Sequence, residues 1–173
     1  MNALFTRLSQ PSSEVADALN KWENDPALTY ISRPNRDQAD IERKSTVNMD
    51  EISQRLEHQS IYLIHLDGQL VGEMSFQIDP AHLYKKEAGT AWVGITIGEE
   101  GARGKGLGTL AMKHLENEIV KAGSKRIELG VFEFNTPAQM LYQKMGYTEI
   151  GRIPDFTFWQ NKLWTDIRME KYI

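Results

Sequence analysis

The sequence predicts an α/β or α+β fold, in which helices pack against a central sheet. Two β-prone runs flank Asp67-Gly68, a dipeptide that favours the positive φ angles of a tight hairpin. Further along the chain, an apolar run at residues 90–97 leads through a glycine-rich turn into a helical pattern from Leu107. At 173 residues, this succession of elements predicts one domain over residues 1–173.

The first part of the chain predicts one strand, helices and then the hairpin. Residues 2–8 form the strand, and Pro11-Ser12-Ser13 precedes an amphipathic helix that ends near Pro26. Residues 37–58 are polar with widely spaced apolar positions, which predicts one or two surface helices. Residues 60–78 comprise the two β-prone runs on either side of Asp67-Gly68, which predicts the hairpin.

The second part alternates strands and helices. The helix from Leu107 ends near Gly123, where glycine suits a helix terminus. Asn135-Thr136-Pro137 begins another helix, because proline is tolerated in a first turn, and Met145-Gly146 ends it. The aromatic segment 155–160 is expected to join the last two strands. The strands predicted in this part are residues 126–132, 147–151 and 162–173.

Composition excludes several classes of function. With 40% apolar and 25% charged residues the chain is typical of a folded globular protein. It has no cysteine, which excludes disulfides, a thiolate nucleophile and Cys-based zinc sites. The formal charge of -4 argues against nucleic-acid binding and suits an amine substrate. No signal peptide, membrane-length apolar run or metal-ligand spacing of histidines is evident, so we expect a cytoplasmic protein without a membrane or metal partner.

The turn between residues 98 and 108 has the features of an anion site. Free N–H groups at a helix N-terminus attract anions, glycines let the main chain approach closely, and Arg103 and Lys105 add positive charge. A nucleotide P-loop is excluded, because Gly106 stands where the metal-binding Ser or Thr belongs. A dinucleotide site stays open, since Gly106 to Ala111 fits G-x-G-x-x-A and Glu128 follows as a ribose-binding acid. A solvated surface turn is the third alternative.

Two motifs resemble those of the GNAT superfamily of N-acetyltransferases. Arg103-Gly-Lys-Gly106-Leu-Gly108 is similar to its R/Q-x-x-G-x-G/A signature, and the segment from Asn135 to Tyr147 resembles its N-x-x-A-x-x-L-Y-x-x-x-G-F/Y pattern. The resemblance runs from about residue 60 to the C-terminus, where Asp166-Ile-Arg-Met169 is also similar to many members. It implies a mixed, mostly antiparallel sheet of six to seven strands whose central parallel strands splay apart.

The resemblance further implies that acetyl-coenzyme A is the cosubstrate. Its pantetheine would lie in the opening between the splayed strands, and its pyrophosphate in the glycine-rich loop. The residues that the resemblance assigns to cosubstrate binding are Ile95, Thr96, Ile97, Arg103, Gly104, Lys105, Gly106, Leu107, Gly108, Thr109 and Asn135. From the sequence alone, Asn135 is also a helix cap.

Acetyl transfer to an amine requires a group that takes the amine proton and one that protonates the departing thiolate. Tyr142 matches the superfamily's usual general acid, although its helical spacing also fits a core position. Many members carry a catalytic carboxylate on the strand before the glycine turn, but residues 90–97 have none. Glu73, Glu128 and a chain of waters are the candidates for the base. His114 is expected to pack rather than to react.

We therefore expect an N-acetyltransferase that acts on a small amine, such as a polyamine or aminoglycoside, or on a protein α-amine. A non-catalytic coenzyme A-binding module and a dinucleotide-dependent oxidoreductase are the alternatives. The aromatic residues between Phe156 and Trp164 predict a buried hairpin core, a cover for the acceptor cleft or a homodimer contact.

Overall fold

A computed structural model describes residues 1–173, and its centre is a mixed sheet of seven strands. In chain order the strands are β1 (Ala3–Arg7), β2 (Ser60–Leu66), β3 (Gln69–Ile78), β4 (Thr90–Ile97), β5 (Arg126–Phe132), β6 (Thr148–Trp159) and β7 (Lys162–Tyr172). The helices are α1 (Ser13–Glu23), α2 (Thr29–Ser32), α3 (Gln38–Glu42), α4 (Met49–His58), α5 (Leu107–Lys121) and α6 (Thr136–Lys144). No helix is both long and apolar enough to cross a membrane.

Polar side chains fix where four of the helices begin. Each accepts a hydrogen bond from a main-chain N–H in the first turn, a group that the helix itself leaves without a partner. These capping residues are Ser12 before α1, Asp37 before α3, Asn48 before α4 and Asn135 before α6. The expected cap at Asn135 is therefore present.

The sheet order is β1-β2-β3-β4-β5-β7-β6, and every neighbouring pair is antiparallel except β4 and β5. The parallel pair is joined over three positions, from Thr90 opposite Arg126 to Trp92 opposite Glu128. Beyond Trp92 the two strands part, while β4 stays paired with β3 as far as Ile97. The predicted mixed sheet with splayed central parallel strands is confirmed.

The sheet is covered on both faces by apolar side chains. Ile61 belongs to one buried cluster with α1 and α4, and its neighbour Tyr62 belongs to the other with α5. Because successive strand residues point to opposite faces, the two clusters lie on opposite sides of the sheet. Helix α5 contributes its apolar stripe to the cluster that contains Tyr62, with Leu107, Ala111, Met112, Leu115 and Ile119.

The sequence-based elements differ from the structure at the C-terminal hairpin. The segment 155–160 was expected as a connection, but most of it belongs to β6, and the turn lies at Gln160-Asn161, which have φ angles of 49° and 60°. Pro154 lies inside this strand. At the edge of a sheet, proline needs no ladder partner for its nitrogen, and β6 is an edge strand with a register shift between Ile153 and Thr157.

Candidate active site

The candidate site lies where β4 and β5 part. A cavity of about 530 Å³ opens there, and the main chain of residues 93–97 has no strand partner on the side of β5. The residues that line it come from both strands and from distant segments: Ile31, Ser32, Arg33, Pro34, Glu73, Met74, Ser75, His82, Trp92, Val93, Gly94, Ile95, Thr96, Gly130, Val131, Phe132, Asn135, Ala138, Tyr142, Phe156, Asp166 and Arg168. An extended ligand could therefore pair with β4 in place of a strand.

The glycine-rich loop after β4 presents a row of unpaired donors. The six main-chain N–H groups of residues 104–109 donate no hydrogen bond within the protein. Gly104 and Gly106 have φ angles of 72° and 77°, a conformation that glycine adopts without strain, and Gly106 stands directly before α5. The N–H groups thus meet the positive end of the helix dipole, an arrangement that fits phosphate oxygens.

Arg103 and Lys105 differ in their surroundings. The Arg103 guanidinium donates to the main-chain oxygens of Ile97 at 2.9 Å and Gly98 at 2.9 Å, so it ties the loop to the end of β4. Lys105 is exposed and forms no ion pair within the protein. Arg103 therefore shapes the loop, while the Lys105 ammonium is the freer cation for a ligand.

Helix α6 carries Tyr142 into the cavity wall. Its side chain is 8% exposed, and its hydroxyl has no hydrogen-bond partner in the protein. Burial raises the pKa of Tyr142 to about 12, so the phenol keeps its proton at neutral pH. Its neighbour Tyr147 differs, because its hydroxyl donates to Glu116 at 3.0 Å.

Glu73 on β3 lies between two cavities. It lines the main cavity and also a smaller one of about 210 Å³, which contains Glu23 and Arg55. Arg55 donates to both oxygens of Glu23, at 3.0 and 3.1 Å. Burial raises the pKa of Glu73 to about 7, against an opposing effect of the Arg55 charge and with a further rise from Glu23. A carboxyl group with this pKa can take or release a proton near neutrality.

Glu128 lies outside the cavity and is fully buried. Its carboxylate accepts hydrogen bonds from the main-chain N–H groups of Tyr84 at 2.6 Å and Lys85 at 3.0 Å, and from Arg126 at 2.9 Å. These contacts hold the loop between β3 and β4 against the sheet. The structure thus brings together Glu73 and Tyr142 but not Glu128.

Sequence reasoning missed the residues on the far wall of the cavity. Ser32 and Pro34 reach it because the loop after α2 is bound to β6: Phe158 N–H donates to Asn35 O at 2.8 Å, and Asn35 N–H donates to Thr157 Oγ1 at 2.9 Å. No sequence signal indicated this contact. Asp166 and Arg168 were detectable, since with Glu170 they form a period-two polar run on one face of β7.

The aromatic segment contributes to both packing and cavity. Trp159 stacks on Tyr30 at 4.7 Å between ring centroids, and it contacts Phe134 at 4.5 Å. Trp164 donates its indole N–H to the main-chain oxygen of Trp159 at 2.8 Å. Phe156, by contrast, lines the cavity. His114 packs on the rings of Phe5 and Tyr62, as expected, and no group of side chains in the structure has the make-up of a metal site.

Fold and site together define a class of protein in which an extended anionic ligand fits at the opened end of a sheet, next to a cavity lined by a carboxyl and a phenol. The chain belongs to the acetyltransferase (GNAT) family, whose sequence model matches residues 16–147. The resemblance drawn from the two motifs is confirmed.

Individual relatives agree with this assignment. The chain is 40% identical over 80 residues to a Bacillus subtilis (strain 168) protein named Uncharacterized N-acetyltransferase YdgE, covering 46% of this chain and 48% of that protein. It is 31% identical over 91 residues to the spermine/spermidine N(1)-acetyltransferase of the same strain, covering 52% and 60%. The aligned part thus spans about half to three fifths of these curated relatives.

A solved structure shares the fold over nearly the whole chain. The spermidine N-acetyltransferase from Vibrio cholerae, in complex with CoA and spermine, has a TM-score of 0.75 at 15% identity. The match covers 98% of this chain and 95% of that chain, and at this identity it concerns the fold alone.

Proposed function

We propose that this protein transfers the acetyl group of acetyl-coenzyme A to a primary amine of a small aliphatic polyamine. The observation that carries the proposal is the combination of six unpaired N–H groups, residues 104–109, on the loop after β4 with a cavity that β4, Glu73 and Tyr142 line. That residues 1–173 form one domain and that the protein is cytoplasmic stay predictions from the sequence, and a homodimer contact stays one of the three alternatives for the aromatic segment.

The opened sheet and the glycine-rich loop would hold the cosubstrate. The N–H groups of residues 104–109 suit its pyrophosphate, and Lys105 adds a screened positive charge. The main chain at Ile95–Ile97 has no strand partner on the side of β5 and suits the amide groups of pantetheine there, while Asn135 lies at the same cavity. When bound, acetyl-coenzyme A supplies the thioester whose carbonyl carbon the amine attacks.

Glu73 and Tyr142 provide the two proton transfers. An alkyl amine with a pKa of about 10.4 is neutral in only about one part in 10³ at pH 7, which costs about 4 kcal/mol. Glu73 takes the amine proton, and the smaller cavity behind it gives that proton a route away from the acceptor. Tyr142 gives its phenolic proton to the departing sulfur, a role that its raised pKa and unpartnered hydroxyl permit.

Two observations support a polyamine as the acceptor. One relative carries a polyamine acetyltransferase name, spermine/spermidine N(1)-acetyltransferase. The cavity also combines two carboxyl side chains, Glu73 and Asp166, with the aromatic rings of Trp92 and Phe156. Such walls suit an extended aliphatic chain that ends in amino groups.

A thiol-release screen tests the proposal. Purified protein and acetyl-coenzyme A are mixed separately with polyamines, aminoglycosides, amino acids and peptides with free N-termini. We expect release of coenzyme A with polyamines above all. Absence of release with every amine would sink the proposal, and turnover confined to peptides would overturn the acceptor assignment.

Tyr142→Phe separates an enzyme from a coenzyme-binding module. The variant should lose about 10²-fold in kcat while its affinity for coenzyme A is kept. Tyr147→Phe is the matched control, because the Tyr147 phenol donates to Glu116 and lies outside the cavity. Equal activity of wild type and Tyr142→Phe would remove Tyr142 from the reaction.

A further inference from the structure

Asp166 on β7 leaves one carboxylate oxygen without a partner at the cavity. Its side chain is nine-tenths buried or more, with the residue 2% exposed, and it lines the main cavity. Oδ2 accepts a hydrogen bond from Arg168 Nε at 2.8 Å. Oδ1 is buried and has no hydrogen-bond partner in the protein. Neither the fold nor the donor site uses this oxygen.

The Arg168 guanidinium makes several other contacts and does not donate to Oδ1. It also donates to the main-chain oxygen of His82 at 3.0 Å, lies 3.6 Å from Glu128 and sits over the Trp92 ring. An Asp that served only to orient Arg168 would leave Oδ1 buried and unpaired, which is unfavourable for a carboxylate. A donor from a bound molecule removes that penalty.

The carboxylate of Asp166 lies against Gly130 of β5, at the wall of the cavity. A Cβ atom on Gly130 would lie 2.7 Å from Oδ2, 3.1 Å from Oδ1 and 3.2 Å from the Trp92 ring. The missing side chain of Gly130, itself a cavity residue, therefore makes room for the carboxylate beside that ring. Glu73, at the same cavity, belongs to β3 on the other side of the opening.

We propose that Asp166 determines acceptor specificity by receiving, at Oδ1, an N–H or O–H donor of the acceptor other than the amine that reacts. In a polyamine this donor is a second nitrogen, while Glu73 and Tyr142 serve the reacting one. This inference rests on the proposed function and adds to it that the acceptor is recognised at two points.

Matched acceptors test the inference in the unaltered protein. Diamines, amino alcohols and monoamines of equal chain length differ only in whether, and how, the far end donates a hydrogen bond. We expect kcat/KM for diamines and amino alcohols to exceed that for monoamines by about 10-fold or more. A monoamine that reacts as well as its matched diamine and amino alcohol overturns the inference.

Asp166→Asn tests the residue itself. An asparagine keeps an oxygen for Arg168 and turns an N–H₂ group toward the acceptor, so the preference should disappear through a raised KM for diamines. The KM for acetyl-coenzyme A should not change. Asp155→Asn is the control, because Asp155 is an exposed carboxylate on the adjoining strand and outside the cavity.

Failure of the inference and failure of the proposed function give different results. Turnover without a preference for a second donor, or a preference unchanged in Asp166→Asn, overturns the inference alone. If no amine releases thiol, the proposed function fails, and calorimetry with 1,4-diaminobutane decides about Asp166: binding that is equal in wild type and Asp166→Asn overturns its role, whereas binding lost in the variant supports it.

Discussion

Replacement of Glu73 by glutamine is expected to stabilise the fold above pH 7 and to remove the group that we propose as the acceptor of the amine proton. Burial raises the pKa of Glu73 from its ordinary value of 4.5 to about 7, so the folded protein disfavours the ionised form. Between these two pH values the unfolded chain binds fewer protons at this residue than the folded one. Stability therefore falls as pH rises through this window, and the loss is complete above pH 7.

The size of the effect follows from the two pKa values. At 1.36 kcal/mol per pKa unit, the difference between 4.5 and about 7 corresponds to about 3 kcal/mol at high pH. Part of that cost is already present at pH 5, so the change between pH 5 and pH 8 is about 2.5 kcal/mol. Glu73→Gln cannot ionise and should escape this pH-dependent loss.

Urea unfolding at pH 5 and pH 8 measures the difference. The free energy of unfolding of Glu73→Gln, minus that of wild type, should be about 2.5 kcal/mol larger at pH 8 than at pH 5. Glu51→Gln is the control, because Glu51 also binds Arg55, at 3.1 Å, but lines neither cavity. If the difference in free energy of unfolding between Glu73→Gln and wild type were the same at both pH values, the reasoning that burial raises the pKa of Glu73 would be refuted.

The same variant should lose activity. As a general base Glu73 must be ionised, so kcat/KM of wild type should fall below about pH 7, and Glu73→Gln should be about 10²-fold to 10⁴-fold slower without this acid limb. An acid limb retained in Glu73→Gln would assign it to another group. A more stable and less active variant would show that the site keeps its base at a cost in stability.

Three further changes test the surroundings of the site. Glu23 raises the pKa of Glu73 and Arg55 lowers it. We therefore expect Glu23→Gln to move the acid limb of kcat/KM to lower pH and Arg55→Gln to move it to higher pH. Shifts of both variants in the same direction would contradict this. Arg103→Ala frees the loop from Ile97 and Gly98 and should weaken acetyl-coenzyme A binding, measured by calorimetry, by about 10-fold at any salt concentration. Lys105→Ala should weaken binding only at low salt, since an exposed charge is screened; insensitivity to salt would assign it a direct contact.

The donor side of the site could be predicted because its parts are contiguous in the sequence. The strand at residues 90–97, the loop and α5 follow one another directly, and the segment from Asn135 to Tyr147 carries a helix cap and Tyr142 on one element. Local rules for strands, glycines and caps describe such units well. The side chain of Arg103 is the exception, because its partners at the end of β4 depend on how the loop turns back.

The acceptor side could not be predicted, because distant contacts assemble it. The segment from Ile31 to Pro34 reaches the cavity only through the pairing of Asn35 with Thr157 and Phe158. The sequence has no motif for this pairing, and the strand that provides it extends through residues that were expected to form a connection. Glu99 is another distant contact, because it accepts hydrogen bonds from Lys21 and Trp22 and so links α1 to the segment after β4.

Strand register explains why only one of the two glutamates proposed as bases reaches the cavity. Glu128 lies opposite Trp92, at the last position where β4 and β5 are still paired, and the loop before β4 closes over it. Glu73 lies opposite Thr96 in the pairing of β3 with β4, at the end where β4 has already left β5. Both residues are glutamates on central strands, Glu128 fully buried and Glu73 half-buried, and residue type alone could not separate them. What separates them is the position at which the parallel pairing stops, because only the glutamate beyond that point lines the cavity.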